Sequence, residues 1–139
     1  MPGQVGRFLA LTSSHINATD ALFCGLGTHF LANEQKTDLL ASLTRRHGLV
    51  RRMRTMPLLA RCSLSMVAGA EQPDGQLEPH IDTINEWMAG DDLAAIHARV
   101  LGWQGDDVWL GRARDGLAHG SPLAATWIFR QLNQTRTRA

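Results

Sequence analysis

The sequence of 139 residues has few cysteines and no long apolar run, and each scarcity excludes a class of protein. Cys24 and Cys62 lie 38 positions apart without a second pair, so neither a disulfide framework nor a zinc site is indicated. No segment approaches the roughly 18 consecutive apolar residues of a membrane span. Residues 8–11 form the one apolar stretch near the start, which is too short for a signal peptide. We therefore expect a soluble, cytoplasmic protein without a membrane partner.

Neither sign of charge dominates the whole chain, because its formal net charge is +1. The charges are nevertheless unevenly distributed: residues 39–70 contain no acidic residue and no lysine, whereas the remainder carries eight basic against 13 acidic side chains. The basic side chains of this segment are Arg45, Arg46, Arg51, Arg52, Arg54 and Arg61. Such a run can contact phosphate, but it lacks interleaved aromatic residues and a known nucleic-acid-reading module. A solvated basic loop without a nucleic-acid partner is the preferred interpretation.

The first third of the sequence predicts short helices that are separated by glycine. Val5, Phe8 and Leu11 recur at helical spacing and predict one apolar face. Asn17 and Asp20 have the spacing of a capping box, in which two side chains satisfy two free backbone N–H groups at a helix start. Residues 28–31 predict a short strand, and residues 33–46 predict a further helix.

Four more helices are predicted after residue 77, and their starting residues can be identified. Asp91 or Asp92 can cap one of them, and Asp106 or Asp107 the next. Ser121 followed by proline predicts the start of the last. The apolar residues expected to face inward are Ile81, Ile84, Met88, Leu93, Ile96, Val100, Leu110, Ala113 and Leu117, followed on the last helix by Leu123, Trp127, Phe129 and Leu132. The fold class is therefore mainly α with one short strand.

Two groups of residues combine the side chains of a nucleophilic site. Cys24 lies near Thr28–His29, but a cysteine at a helix end is more often a small core residue, and no third, orienting group is evident. Ser14–His15 and Asp20 supply the residue types of a catalytic triad, but a triad assembles in space rather than along the sequence. The preferred roles are a helix end for Ser14 and a charge facing the helix dipole for Asp20.

The remaining candidates also have simpler structural interpretations. His80 and Asp82 could supply two metal ligands, yet no third or fourth is visible. The acidic pairs at 91–92 and 106–107 follow glycine and precede helices, so capping is preferred over acid–base chemistry. The four tryptophans are interpreted as core or interface anchors: Trp87, Trp103, Trp109 and Trp127. No glycine-rich phosphate motif is present, and the sequence indicates no catalytic residue and no metal site.

Five segments of the sequence resemble a known protein family. They are GRFLALT (6–12), NATDAL (17–22), GLGTHFL (25–31), IDTIN (81–85) and SPLAATWIFRQL (121–132). In pattern and order they resemble the part that follows the active site in the enoyl-CoA hydratase/isomerase (crotonase) superfamily, most closely in its 3-hydroxyisobutyryl-CoA hydrolase branch. The resemblance implies the C-terminal helical half of a crotonase-type α/β fold. It divides the chain into residues 1–48 with the post-active-site helices and strand, 49–76 with a basic atypical loop, and 77–135 with the C-terminal helices.

The sequence departs from the family pattern at three places. The family has glycine where Ser13 stands and arginine at the position of His15. A residue other than glycine in a left-handed helix end costs on the order of 1 kcal/mol, so Ser13 is expected to weaken that turn. The likeness also fails over residues 45–70, where either a loop variant or residues read in a shifted frame would explain the arginines.

The resemblance implies a function for the whole protein and none for this chain alone. The family takes its oxyanion-hole amides from the first half of the fold, and its catalytic Glu and Asp from a motif upstream of the segment at 6–12. We therefore expect a C-terminal fragment of an acyl-CoA thioester hydrolase of valine breakdown, inactive by itself, that meets acyl-CoA only together with the N-terminal half. No cofactor is implied beyond CoA as part of the substrate, and Arg130 or the loop arginines are the candidates for contacting CoA phosphates. A homo-oligomer is compatible with this reading.

Three alternatives stay open on the sequence alone. The chain could be a fragment from the hydratase/isomerase branch. It could instead be a non-catalytic helical interaction module, including a nucleic-acid binder that uses Arg51, Arg52 and Arg54. A product of a broken gene without a selected function is the third.

Overall fold

The computed structural model describes residues 1–45 and 72–137, which are mainly helical, as predicted. The helices are α1 (Val5–Thr12), α2 (Ala18–Phe23), α3 (Lys36–Arg45), α4 (Ile81–Trp87), α5 (Leu93–Leu101), α6 (Val108–His119) and α7 (Pro122–Thr137). Single 3₁₀ turns at Asn33–Gln35 and Glu78–His80 lead into α3 and α4. None of the helices in these residues combines the length and the apolar character needed to cross a bilayer.

Helix α1 lies at the centre of the described structure, where it packs against α4, α6 and α7. Its predicted apolar face is confirmed, because Val5, Phe8 and Leu11 are all buried. The ring of Phe8 lies 5.5 Å from the ring of Trp109 and 6.2 Å from that of Trp87, measured between centroids. Tilted aromatic contacts at such distances are favourable beyond the area they bury. This cluster anchors α1 to the helices that follow residue 77.

The end of α1 approaches α6 so closely that only glycine fits at the contact. A Cβ atom on Gly116 would meet the backbone carbonyl oxygen of Thr12. The next residue, Ser13, has φ 53° and ψ 31°, which is the left-handed conformation expected from the family's glycine at this position. The turn is closed by a 3.0 Å hydrogen bond from the Ser13 N–H to the Leu9 carbonyl. The predicted left-handed helix end is confirmed, and serine occupies it.

The predicted helix caps are also confirmed. In α2, the Asn17 side chain accepts the Asp20 N–H at 3.0 Å, and the Asp20 carboxylate accepts the Asn17 N–H at 3.2 Å, which completes the capping box. Of the two acidic pairs, Asp92 caps α5 and Asp107 caps α6, each accepting a backbone N–H at 2.9 and 2.8 Å respectively. These acidic side chains begin helices, as their position after glycine indicated.

The strand predicted at residues 28–31 does not form, and no strand occurs in residues 1–45 or 72–137. A strand needs a neighbouring strand to receive its backbone hydrogen bonds, and the described residues supply none. The helix predicted from Asn33 is present, but it begins with a 3₁₀ turn and becomes α-helical at Lys36.

The inward faces of α4, α5 and α6 agree with the sequence pattern. The buried side chains include Ile84, Met88, Ile96, Val100, Leu110, Ala113 and Leu117. Helix α7 buries Phe129, but the prediction was wrong for Leu123 and Trp127, which are exposed because their side of the helix faces away from α1. Of the six arginines in the basic segment, only Arg45 belongs to the described residues. Most of the loop predicted at 49–76, namely residues 49–71, lies outside them.

Candidate functional site

A buried arginine joins three parts of the structure. Arg7 lies on α1, and only 4% of its surface is exposed. One guanidinium nitrogen donates to the carbonyl oxygens of Met88 at 2.9 Å and Gly90 at 2.6 Å. The other donates to the Asn133 side chain at 2.8 Å and lies 3.4 Å from the Asp91 carboxylate.

The same guanidinium also faces an aromatic ring. Its central carbon lies 5.1 Å from the centroid of Phe129 on α7, within the range of a cation–π contact. The planar group therefore binds α1 to the α4–α5 connection and to α7 at once. A guanidinium with this many partners holds helices together and has little capacity left for a substrate.

The carboxylate of Asp20 joins the two described parts of the chain. It is 1% exposed and accepts backbone N–H groups from Gln76 at 2.6 Å and Leu77 at 2.8 Å, besides that of Asn17. Leu77 is fully buried beneath it. Asp20 thus serves as a cap at its own helix and as an anchor for the chain that leads into α4, rather than as an acid or base.

The cysteine candidate has the properties of a core residue. Cys24 is 3% exposed, and burial raises the pKa of its thiol, as does the charge of Asp20 to a lesser degree. A thiol with a raised pKa is protonated at neutral pH and is a poor nucleophile. The imidazole of His29 is exposed and contacts the Thr28 hydroxyl at 2.8 Å. The structural interpretation of Cys24 is confirmed.

The triad candidate is not assembled. The Ser14 hydroxyl contacts that of Thr12 at 2.7 Å, next to the end of α1. His15 is exposed, and its backbone carbonyl accepts the indole N–H of Trp109 at 2.9 Å. The Asp20 carboxylate is engaged with backbone amides rather than with the imidazole of His15.

His80 is paired with a residue other than the predicted Asp82. Its Nε2 atom lies 3.2 Å from Oδ2 of Asp107, and its ring stacks on Trp109 at 5.8 Å with a 12° angle between planes. These contacts of His80 hold the 3₁₀ turn before α4 against the start of α6. Within residues 1–45 and 72–137, no three His, Cys, Asp or Glu side chains converge in a way that could hold a metal ion.

The tryptophans divide between core and surface. Trp87 and Trp109 are buried, and Trp103 packs against the core with its ring 5.7 Å from that of Trp87. Trp127 is 65% exposed on α7. Arg130, the candidate for contacting CoA phosphates, is exposed on the same helix, one turn after Trp127.

An open apolar groove lies between α5, the end of α6 and the start of α7, with a volume of about 530 Å³. Small side chains account for much of its hollow shape, among them Ala94, Ala98 and Ala125, and Leu117 contributes to its lining. Its polar lining includes His97 and the Thr126 hydroxyl, which donates to the Pro122 carbonyl at 2.8 Å. The volume falls within the range of ligand pockets, but the described lining residues include no Asp or Glu, and the Thr126 hydroxyl is engaged with the backbone.

Sequence reasoning missed Arg7, Asn133 and the groove. An arginine in a helix ordinarily indicates a solvent-exposed position. The one signal that Arg7 is buried was its position on the same side of the helix as the apolar residues. The groove arises from three helices that are distant in sequence, and no local pattern indicates it.

Over its whole length, residues 1–139, the sequence matches the enoyl-CoA hydratase/isomerase family. The chain belongs to this family, which is the crotonase superfamily that its short motifs resemble. It is also similar to the small ribosomal subunit protein mS47 of Arabidopsis thaliana, with 23% identity over 139 residues. That alignment covers 98% of this chain and 32% of the plant protein, so the chain spans about a third of the length of this relative.

Proposed function

We propose that this chain is the C-terminal helical part of a 3-hydroxyisobutyryl-CoA hydrolase-like protein, and that it has no hydrolase activity by itself. The intact enzyme would split a branched hydroxyacyl-CoA thioester with water into the free acid and the CoA thiol, as in valine breakdown. Family membership supports the superfamily, and the motifs at 6–31 and 121–132 support the hydrolase branch.

One observation carries the proposal of an inactive scaffold. The buried charged groups of the described residues, Arg7 and Asp20, are both engaged in hydrogen bonds that hold helices in place. Thioester hydrolysis needs donors aimed at a developing oxyanion and a carboxylate that handles protons. In this proposal those groups belong to an N-terminal half, and these helices support the wall of the acyl-CoA pocket.

Arg130 is the proposed contact to CoA phosphates. Its exposure on α7 leaves the guanidinium accessible, and arginine binds phosphate oxygens through paired N–H groups. In a reconstituted enzyme we expect Arg130→Ala to raise KM for the acyl-CoA and to leave kcat nearly unchanged, since the contact is remote from the reacting carbonyl. A fall in kcat at constant KM would contradict this role.

The test of the first proposal is turnover by the purified chain. Branched hydroxyacyl-CoA should release no free thiol above the rate in buffer, and crotonyl-CoA should not be hydrated. Thiol release by the chain alone would contradict the inactive-scaffold proposal. Hydration of crotonyl-CoA would point to the hydratase/isomerase branch instead.

A non-catalytic interaction module is the second candidate, and the relative from Arabidopsis thaliana favours it. That protein is named as a component of the small ribosomal subunit. If this chain has a comparable role, it should bind RNA with an affinity that falls steeply with salt, because phosphate contacts release counterions. Replacing Arg51, Arg52 and Arg54 should abolish that binding, and RNA binding that is unchanged in this variant would exclude the basic segment as the cause.

A further inference from the structure

The last residue of the segment at 81–85 contacts the start of α1. Oδ1 of Asn85, on α4, accepts the backbone N–H of Gln4 at 2.9 Å, across 81 positions of the sequence. Gln4 is the N-cap residue of α1, and within the described residues its own side chain makes no capping hydrogen bond. In a capping box the acceptor for this N–H comes from the third residue of the helix, which here is Arg7, and a guanidinium has no acceptor atom. Asn85 therefore supplies an acceptor that Arg7 cannot provide.

Gly3 leaves room for this contact. Its φ of 47° is left-handed, and a Cβ atom at this position would meet Oδ1 of Asn85. The residues around it form a turn, in which the Val5 N–H donates to the Pro2 carbonyl oxygen at 3.2 Å. A residue larger than glycine would push the Asn85 side chain away from Gln4. The turn and Asn85 together fix the direction in which the backbone enters α1.

Helix α4 holds Asn85 in a fixed place. Ile84, next to it in the sequence, is fully buried, and Trp87 is 5% exposed. Arg7 of α1 binds the Met88 carbonyl oxygen, just after the end of α4, at 2.9 Å. Groups on a packed helix are positioned more precisely than groups on a loop. The acceptor atom is thus fixed relative to the body of α1.

We propose that Asn85 is a positioning residue of the thioester hydrolase, because its contact with Gln4 fixes the path by which the N-terminal half leads into α1. This inference rests on the proposed function, in which the catalytic carboxylates belong to that half and lie upstream of α1. The chain that joins them to α1 passes through residues 2–5. A change in its direction therefore moves the carboxylates relative to the helices that support the acyl-CoA pocket. A misplacement of about 1 Å can lower the rate about a hundredfold.

The test compares two forms of the enzyme. In one, the N-terminal half of a 3-hydroxyisobutyryl-CoA hydrolase is joined to Met1 of this chain by a peptide bond, and in the other the two parts are mixed. Asn85→Leu keeps the size of the side chain and removes its acceptor. In the joined enzyme we expect it to lower kcat about ten- to a hundredfold and to change KM by less than about twofold. In the mixture the break uncouples the carboxylates from residues 2–5, so the same substitution should lower kcat by less than about threefold.

Two further variants separate the hydrogen bond from a general effect on α4. Asn85→Asp keeps an oxygen that can accept the Gln4 N–H, and it should restore kcat of the joined enzyme to within about threefold of wild type. Glu86→Leu changes the exposed neighbour of Asn85 on the same helix and should leave kcat unchanged. In the full chain by itself, hydrogen exchange of the Gln4 amide should be protected in wild type and in Asn85→Asp, and this protection should be lost in Asn85→Leu.

The outcomes distinguish this inference from the proposed function on which it rests. Equal kcat values for the joined wild type and Asn85→Leu would overturn the positioning role alone. So would an equal fall in the joined enzyme and the mixture, which would indicate a purely structural effect, or a Gln4 amide that exchanges equally fast in both chains. Absence of turnover in the joined wild-type enzyme would overturn the proposed function and the positioning role with it.

Discussion

At the scale of single residues, the described structure uses its charged side chains to hold helices together. Arg7 shows this most clearly, because its guanidinium donates to Met88, Gly90 and Asn133 within 2.9 Å and faces Phe129. Removing one member of such a buried network takes hydrogen bonds away from polar groups that stay buried. The free-energy cost of this removal is larger than the net stabilisation that the intact network provides.

We expect Arg7→Ala to lower the free energy of unfolding by about 3–5 kcal/mol, because it removes the hydrogen bonds that the guanidinium donates to two backbone carbonyl oxygens and to the Asn133 side chain. Chemical denaturation monitored by circular dichroism measures this change. Arg112→Ala is the control, since Arg112 is exposed on α6, and its replacement should change stability by about 0.5 kcal/mol or less. Equal effects of the two substitutions would contradict the structural role of Arg7.

Ser13 offers a stabilising substitution. Its φ of 53° lies in the left-handed region, where a Cβ atom is unfavourable and glycine is not. We expect Ser13→Gly to raise the free energy of unfolding by about 1 kcal/mol. Ser13→Ala keeps the Cβ atom, so thermal unfolding should show little change for it, and an equal gain from both variants would refute the conformational explanation.

The buried thiol predicts a loss of stability at alkaline pH. Since burial and Asp20 raise the pKa of Cys24 in the folded state, the folded protein holds this proton more tightly than the unfolded chain does. The contribution of the thiol to the free energy of unfolding is therefore constant below the unfolded pKa of about 8.5, and stability falls as the pH rises above that value.

The measurement is the free energy of unfolding against pH in a chain that already carries Cys62→Ser, with and without Cys24→Ala. The alkaline fall should be shallower in the variant without Cys24. Native Cys24 should also react slowly with iodoacetamide at neutral pH and rapidly in denaturant. Rapid alkylation of the native thiol would contradict its burial.

At the scale of elements, local chemistry made the helices predictable. The capping box at Asn17 and Asp20 and the caps at Asp92 and Asp107 formed as expected, because each involves residues only two or three positions apart. The strand at 28–31 was wrong for the opposite reason, since strand pairing depends on a distant segment that local sequence does not reveal.

Most contacts between the helices could not be predicted from the sequence. The side chain of Arg7 and the partners it meets lie more than 80 positions apart in the sequence, as do the Trp109 indole and the carbonyl of His15. The groove is likewise a property of three helices. Inward faces could be predicted from periodicity, but the partner of each face could not.

The crossing of α1 and α6 can be tested with two glycines of one helix. In Gly116→Ala the new Cβ atom would meet the Thr12 carbonyl, so the helices must separate, and we expect a loss of about 1–3 kcal/mol. In Gly111→Ala the nearest atom is 4.0 Å away, on Trp103, and the gain in helix propensity should raise stability by up to about 1 kcal/mol. A lower free energy of unfolding for Gly116→Ala together with a higher one for Gly111→Ala supports the close contact. Stabilisation by both substitutions would contradict it.

At the scale of the whole molecule, the chain combines membership of the enoyl-CoA hydratase/isomerase family with a described part whose buried charged side chains, Arg7 and Asp20, hold helices together. It spans about a third of the length of its relative in Arabidopsis thaliana. Large apolar side chains remain exposed at several separate places, including Leu26, Leu40 and Val108. Such surfaces are expected of helices that pack against a further part of a fold.

Reconstitution of activity tests the central claim most directly. The N-terminal half of a 3-hydroxyisobutyryl-CoA hydrolase, expressed separately, is mixed with this chain, and thiol release from the branched hydroxyacyl-CoA is followed. We expect turnover that neither part shows alone and that saturates as the concentration of this chain increases. A chain carrying Arg7→Ala should give less turnover, because its helices are less stably packed. Hydrolysis by this chain alone, or none by the mixture once binding of the two parts is shown, would contradict the claim that these helices complete a thioester hydrolase.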